Sequence, residues 1–210
     1  MNPLLILDYA GVAVFAATGA LAASRKQLDI IGFLFFAGVT GTGGGTLRDL
    51  VLGLPVFWVV NPTYVAVCAV VGGLVYFTAH LVESRYRLLL WLDAVGLSAY
   101  GVLGAAVGLA ASGSPIVALV TGVLTATFGG IIRDLLAGEP SVLLRPEIYV
   151  SAALTGAAVF TGADLAGLTL APASLMAFAA AFLVRGGALR FGWTVPRYKP
   201  RPGRRPEDIP

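Results

Sequence analysis

Two groups of ionisable residues lie inside otherwise apolar stretches, and their types point to ion handling. The groups are Asp8, Arg48 and Asp49, and Asp93, Arg133 and Asp134. A charge at membrane depth is costly, so it normally pairs with an opposite charge or faces water. We predict two ion pairs, one near each mouth of the protein: Asp8 with Arg48, and Asp93 with Arg133. Asp49 and Asp134 are alternative partners of the same arginines, or point to the interface.

A glycine-rich run precedes each Arg-Asp dipeptide. The runs are Thr42-Gly43-Gly44-Gly45 and Thr127-Phe128-Gly129-Gly130. Glycine costs a helix about 1 kcal/mol against alanine, so we expect a kink or an unwound turn at each run. Irregular backbone is tolerated at membrane depth only where protein buries it or where it lines a water-filled cavity. Freed carbonyl groups there suit cation coordination. The alternative is that glycines merely allow close helix packing, which we favour for Gly11 and Gly19.

Enzyme chemistry has no support in the sequence. There is no Ser-His-Asp set and no metal-binding cluster, and Gly43-Gly44-Gly45 leads into Thr-Leu-Arg without the spacing of a phosphate-binding loop. We therefore expect no catalytic residues, no metal and no cofactor. The net charge of +3 comes from one end of the chain, since seven of the fourteen Lys and Arg residues fall at or after Arg185. It does not indicate a nucleic-acid partner.

The elements that must position these residues are membrane-spanning helices. Of the 210 residues, 58% are hydrophobic and 12% are charged, and the mean hydropathy is +0.87. Soluble domains carry about twice that charge fraction. The sequence predicts an all-α integral membrane protein, with the first segment retained as a helix. The seven apolar segments are 3–23, 28–54, 62–82, 88–111, 115–137, 146–165 and 171–184.

The chain matches itself at a shift of 85 positions. The matches include the following pairs: Asp8 and Asp93, Thr42 and Thr127, Gly44 and Gly129, Arg48 and Arg133, and Asp49 and Asp134. Three spans separate equivalent points, so the second half must be inverted relative to the first. Transport proteins with this plan place their path or binding site between the halves. We predict repeats at 1–84 and 85–168, a seventh helix at 169–192, and a tail at 193–210.

The loop charges predict the orientation. One side receives Arg25, Lys26, Arg85, Arg87 and Arg145, followed by the basic tail with Arg197, Lys199, Arg201, Arg204 and Arg205. The opposite loops, around Asn61, Ser112 to Ser114 and Asp164, have no Lys or Arg. By the positive-inside rule we expect a multi-pass protein of the cell membrane, with the N-terminus outside and the C-terminus in the cytoplasm.

The repeated glycine run followed by Arg-Asp, in two inverted three-helix units with a seventh helix, resembles the prokaryotic trimeric intracellular cation channel family. The resemblance covers about residues 4 to 190. It implies homotrimers surrounded by membrane lipid, with a pore in each subunit bounded by kinked second and fifth helices and passing potassium and sodium. The kinks would fall at Gly43 to Gly45 and at Phe128-Gly129-Gly130. The lysine-containing lipid-binding motif of animal members is missing from the second helix.

These observations are compatible with three functions to different degrees. The first is a channel for monovalent cations with its pore between the inverted repeats. The second is a secondary carrier of glycine or another small zwitterion, because some bacterial proteins with the same domain are described as glycine transporters. A structural membrane protein, the third, leaves the buried charges unexplained. We favour the channel, although channel and carrier both need a polar path between the halves.

Overall fold

The computed structural model describes residues 3–144, 147–196 and 203. Within them the chain forms eight α-helices: α1 (Pro3–Arg25), α2 (Ile30–Leu52), α3 (Phe57–Val60), α4 (Thr63–Thr78), α5 (Arg85–Ser112), α6 (Pro115–Leu136), α7 (Val150–Leu165) and α8 (Leu170–Phe191). Short 3-10 turns follow α4 at Ala79–Leu81 and α6 at Val142–Leu144. Arg145, Pro146 and the tail residues Arg197, Lys199, Arg201, Arg204 and Arg205 lie outside the described residues.

The prediction of an all-α fold with membrane-length helices is confirmed. Six helical segments are long and apolar enough to cross a membrane, with α4 counted through its 3-10 turn. They correspond to six of the seven predicted segments. The remaining one is α7, an apolar helix of 16 residues, or roughly 24 Å, which is shorter than a ~30 Å hydrocarbon core. The four-residue α3 was not predicted and lies in the connection between α2 and α4.

Helix α5 lies at the centre of the bundle. It packs against α1, α6, α7 and α8, and most residues of its apolar stretch are buried. Around it, α1 packs on α2 and α4, while α2 also contacts α6. Side chains from both halves, including Phe15, Leu97 and Tyr100, form the largest buried cluster. The residues that face one another at the middle of the protein therefore come from different halves.

Contacts between the halves come in reciprocal pairs. The rings of Phe15 and Tyr100, which are 85 positions apart, lie 5.3 Å from each other between their centroids. Gly11 of α1 faces the ring of Tyr100, and its counterpart Gly96 faces the ring of Phe15. Reciprocal contacts of this kind are what an approximate two-fold axis between similar halves produces. The boundaries of the repeats at residues 84 and 168 remain predictions.

One end of the bundle collects basic residues. There, Arg25 at the end of α1 forms an ion pair of 3.0 Å with Glu139, in the loop after α6, and Lys26 lies 3.5 Å from the same carboxylate. Arg85 at the start of α5 donates to the carbonyl of Ser24. We call this the basic end; α8 also finishes there, because its Arg185 pairs with Glu147 just before α7.

Candidate functional site

The glycine runs lie where α2 crosses α6. A Cβ atom on Gly44 would collide with the carbonyl oxygen of Thr125, and one on Gly129 would lie 2.5 Å from the carbonyl oxygen of Thr40. Each contact is the 85-residue image of the other. Both threonines are buried. The two helices thus touch backbone to backbone, which only residues without a side chain permit.

The helices stay regular across both runs. Residues Ile30–Leu52 and Pro115–Leu136 are continuous α-helix, so neither run forms an unwound turn. The reason is that the opposing backbone packs on these glycines, so the chain need not break there. Hydroxyl groups bond back along the helices, from Thr42 to the carbonyl of Gly38 and from Thr127 to that of Val123, both at 2.8 Å. Bonds of this type often bend a helix, so bending stays an expectation.

The other glycines of the runs face side chains instead of backbone carbonyl groups. A Cβ on Gly43 would lie 3.3 Å from the Ile132 side chain, and one on Gly45 would meet the ring of Phe57. On Gly130 it would lie 2.6 Å from the Tyr149 hydroxyl. Phe128, which replaces the first glycine in the second run, is half-buried. The two runs therefore differ in their surroundings even though they share the crossing.

Each Arg-Asp dipeptide sits in the last turns of its helix, just before a left-handed glycine. Gly53 has φ 66° and Gly138 has φ 61°, a conformation that favours glycine at helix ends. The chain then turns back, so that the Asp49 carboxylate accepts from the amide of Phe57 at 2.9 Å. Its counterpart Asp134 accepts from the amide of Val142 at 3.1 Å. These bonds hold both aspartates at the ends of α2 and α6.

The first charged set consists of Asp8, Arg48, Asp49 and Tyr64. Arg48 pairs with its neighbour Asp49, with Nη2 2.7 Å from Oδ1. Asp8 is not within 4.0 Å of Arg48; its Oδ2 accepts a 2.7 Å hydrogen bond from the Tyr64 hydroxyl instead. The expected Asp8–Arg48 pair is therefore not formed. Arg48 pairs with Asp49, the alternative partner, because that carboxylate lies beside the guanidinium, and the Asp8 carboxylate is bound by the Tyr64 hydroxyl. Both Arg48 and Asp49 are buried.

The second charged set consists of Asp93, Arg133, Asp134 and Tyr149, at the basic end. Arg133 bridges both carboxylates, with Nη1 2.6 Å from Asp93 Oδ1 and Nη2 2.9 Å from Asp134 Oδ1. This set thus contains the pair expected from sequence and the alternative pair at once. All four side chains are buried. A buried guanidinium is tolerated here because two carboxylates bind it.

The two sets contain the same residue types but differ in their hydrogen bonds as well as in their ion pairs. Tyr64 donates to Asp8, whereas the equivalent Tyr149 hydroxyl and Asp93 Oδ2 have no hydrogen-bond partner among the described residues. The ring of Tyr149 lies 5.0 Å from the guanidinium of Arg185, in α8. Because α8 has no counterpart in the repeats, only the second set has such a neighbour.

Cavities adjoin both charged sets. An open cavity of about 440 Å³ adjoins the first set and is lined by Arg48, Asp49, Phe57, Asn61 and Tyr64, among others. At the basic end, a cavity of about 10 Å³ is lined by Arg133, Asp134, Arg25, Tyr86 and Glu139, among others. That volume is close to one water molecule. The Arg25–Glu139 pair stands beside this small cavity. A second cavity at the basic end, of about 410 Å³, is lined by Tyr149 of the second set and by Val142.

Sequence reasoning missed several of these residues. Tyr64 and Tyr149 are separated by the same 85 positions as the aspartates that they adjoin, so self-comparison carried the signal for them. Nothing in the sequence pattern marks Arg185 or Glu139, because neither has a charged counterpart at the 85-residue shift. Among the described residues no group of three or more His, Cys, Asp or Glu side chains is arranged to hold a metal ion.

Comparison with known proteins adds the family context. The family described as "Glycine transporter" matches residues 5–80 and again residues 90–165, so the two matches begin and end 85 positions apart. The "UPF0126 inner membrane protein YadS" of Escherichia coli K12 is 39% identical over 198 residues, which covers 91% of this chain and 94% of the relative.

Solved structures of similar proteins are cation channels. The TRIC trimeric intracellular cation channel orthologue from Rhodobacter sphaeroides is 52% identical, covers 92% of this chain and 100% of its own, and superposes with a TM-score of 0.89. A structure described under "Structural basis for conductance through TRIC cation channels" is 29% identical, covers 94% of this chain and 98% of its own, and has a TM-score of 0.83. These neighbours are channels and not enzymes.

Proposed function

Because this chain belongs to the membrane-protein family that contains the bacterial TRIC channels, we propose that it is a channel for monovalent cations. The observation that carries the proposal is the charge of the two sets. Each holds two carboxylates and one guanidinium, Asp8, Asp49 and Arg48 in the first and Asp93, Asp134 and Arg133 in the second. The one excess negative charge within each set attracts cations and repels anions at that point of the path.

The proposed path runs within one subunit, between the repeats and along the crossing of α2 and α6. Thr42 and Thr127 lie on these helices beside the glycine contacts. Three buried polar atoms near this path, Thr40 Oγ1, Asp93 Oδ2 and Tyr149 Oη, have no partner in the described part of the chain. Buried polar atoms usually bond to water when protein supplies no partner, and a hydrated interior is what ion passage requires.

We propose that both K+ and Na+ pass. Strong discrimination between them in known channels relies on rings of backbone carbonyl groups. The glycine carbonyl groups here stay within regular helix, and the mouths offer carboxylates instead. Carboxylate fields select by charge sign more than by ion size.

The proposed conformation is closed at the basic end. The water-sized cavity there is bordered by Arg25 and Glu139, which form an ion pair. The 85-residue counterparts of Arg25, Lys26 and Glu139 are Ala110, Ala111 and Leu54, none of which carries a charge. The closing contact therefore exists on one side only, so that opening requires movement at the basic end.

A carrier for glycine is the second candidate, because the matching family is described as a glycine transporter family. Both mouth sets offer carboxylate and guanidinium groups, which could bind an ammonium and a carboxylate group respectively. Liposomes containing the purified protein separate the two proposals. A channel releases trapped K+ down its gradient without glycine, whereas saturable uptake of labelled glycine without K+ release would support the carrier.

We further propose a homotrimer, as in the channels that this chain resembles. Large apolar side chains remain exposed on several helices, among them Phe35, Val70 and Leu135, and they can contact lipid or another subunit. Mass measurement in mild detergent should give three copies. A monomer that conducts would contradict the need for assembly.

The proposed orientation places the basic end in the cytoplasm and the N-terminus outside. The helix ends and turns at the basic end carry Arg25, Lys26, Arg85 and Arg87, while the loop between α5 and α6 carries no Lys or Arg. Positive residues in short loops are retained on the cytoplasmic side.

A further inference from the structure

An apolar groove lies between α5 and α8 at the basic end. It has a volume of about 410 Å³, and its lining includes Trp91, Phe182, Gly186, Gly187 and Trp193. Trp193, just after α8, folds back so closely that a Cβ on Gly187 would lie 2.6 Å from its ring. The ring of Trp91 lies 3.3 Å from the equivalent position on Gly186. Two tryptophans thus wall a groove whose floor is made of glycines.

One positive charge stands at the rim of this groove. Arg190 lines it, is exposed, and places its guanidinium 6.0 Å from the ring of Phe191. No carboxylate of the described residues forms an ion pair with it. By contrast, the buried arginines Arg48, Arg133 and Arg185 each pair with a carboxylate. Arg190 is therefore available to an anionic ligand.

The groove also lies at the right level for a lipid headgroup. Tryptophan is enriched where membrane meets water, and the groove holds two of the three tryptophans of the chain. Arg87, which is exposed, precedes Trp91 by one helical turn and shares its face of α5. A phospholipid would place its acyl chain against the two tryptophans and its phosphate near the arginines. It would therefore match both the apolar and the charged part of the groove.

We propose that this groove binds an anionic phospholipid, with its acyl chain between Trp91 and Trp193 and its phosphate at Arg190. We favour an anionic over a zwitterionic phospholipid because Arg190 attracts the phosphate but repels the choline group that a zwitterionic lipid carries. The site lies on the outer surface of α5 and α8, away from the α2–α6 crossing. It is therefore independent of which solute the protein transports.

Tryptophan quenching by brominated lipids tests the proposal in the full-length protein. Trp58 lies outside the groove, where its indole bonds to Thr46, so a Trp58→Phe background confines fluorescence to the groove. In vesicles, dibromo-phosphatidylglycerol should reach half-quenching at a mole fraction roughly five-fold lower than dibromo-phosphatidylcholine does. That ratio corresponds to about 1 kcal/mol for one arginine near the surface.

Matched variants assign the preference to this site. Arg190→Gln should remove most of the preference and Arg190→Glu should reverse it, whereas Lys26→Gln, which removes the same charge elsewhere at the basic end, should retain it. Gly187→Ala should displace Trp193 and weaken quenching by both lipids. Equal quenching by the two lipids in the starting protein would overturn the proposal. So would a preference that survives Arg190→Glu, or one that Lys26→Gln removes equally.

Discussion

Gly44 of α2 lies directly against the backbone carbonyl oxygen of Thr125 of α6. The reciprocal contact of Gly129 with Thr40 makes this crossing the meeting point of the two halves. The charged sets lie toward the two ends of the same helices. The proposed cation path between the two sets therefore runs beside this close backbone contact and not through it.

The first prediction concerns that crossing. Gly44→Ala and Gly129→Ala should each lower stability by about 1–3 kcal/mol, because the added methyl group meets backbone that cannot rotate away. Gly38→Ala, in the same helix as Gly44, is the control. Nothing lies within 4 Å of its added Cβ, so it should be neutral or stabilising by up to about 1 kcal/mol. Thermal unfolding in detergent measures both, and equal melting temperatures for Gly44→Ala and Gly38→Ala would contradict the close crossing.

The second prediction compares the two equivalent aspartates. Asp93→Asn removes one of the two carboxylates that bind the buried Arg133 and should cost about 1–3 kcal/mol, because a short charged hydrogen bond is lost while Asp134 remains. Asp8→Asn should cost much less, because an amide oxygen still accepts the Tyr64 hydrogen bond and Arg48 keeps Asp49. Thermal unfolding of the two variants should differ clearly. Similar losses would show that Asp8 also supports its arginine.

The third prediction concerns the ion pairs at the basic end. Glu139→Gln should raise the fraction of time that the path is open, because Arg25 and Lys26 lose their shared carboxylate. Stability should change by less than about 1 kcal/mol, since partly exposed ion pairs contribute little. Currents from variant and parent protein in lipid bilayers provide the measurement. Glu83→Gln is the control, as Glu83 is exposed and does not line the small cavity. An unchanged open fraction for Glu139→Gln would refute the closing role.

The fourth prediction concerns orientation. The single native thiol, Cys68, is buried and should react slowly, so cysteines introduced at Ser112 and Gly203 report topology once Cys68 is replaced by alanine. A membrane-impermeant reagent should label position 112 in intact cells and position 203 only after lysis. Labelling of position 203 from outside would reverse the proposed orientation.

The helices and their repetition could be predicted from sequence because both leave local signals. Long apolar segments predict the membrane-spanning helices, and residues such as Arg48 and Arg133 are recognisable as charges within apolar runs. The pairing of these charges could not be predicted in the same way. Whether Arg48 selects Asp8 or Asp49 depends on where Tyr64 lies, and that is a tertiary relationship.

The glycine runs show a second limit of sequence reasoning. Low helix propensity at Gly44 predicted irregular backbone, but the packing of α6 against it keeps the helix intact. Propensity describes a helix in isolation, whereas α2 and α6 stabilise each other at the crossing. The packing role that was expected for Gly11 and Gly19 applies to Gly44 and Gly129 as well.

Single-channel currents across a planar bilayer with unequal KCl on its two sides test whether the protein conducts cations selectively. We expect discrete current steps whose reversal potential is shifted toward the K+ equilibrium potential, because each charged set carries one excess negative charge. Replacing both Asp8 and Asp49 by asparagine should move the reversal potential toward zero. Steps that reverse at the chloride potential, or saturable glycine uptake with no steps at all, would contradict the account.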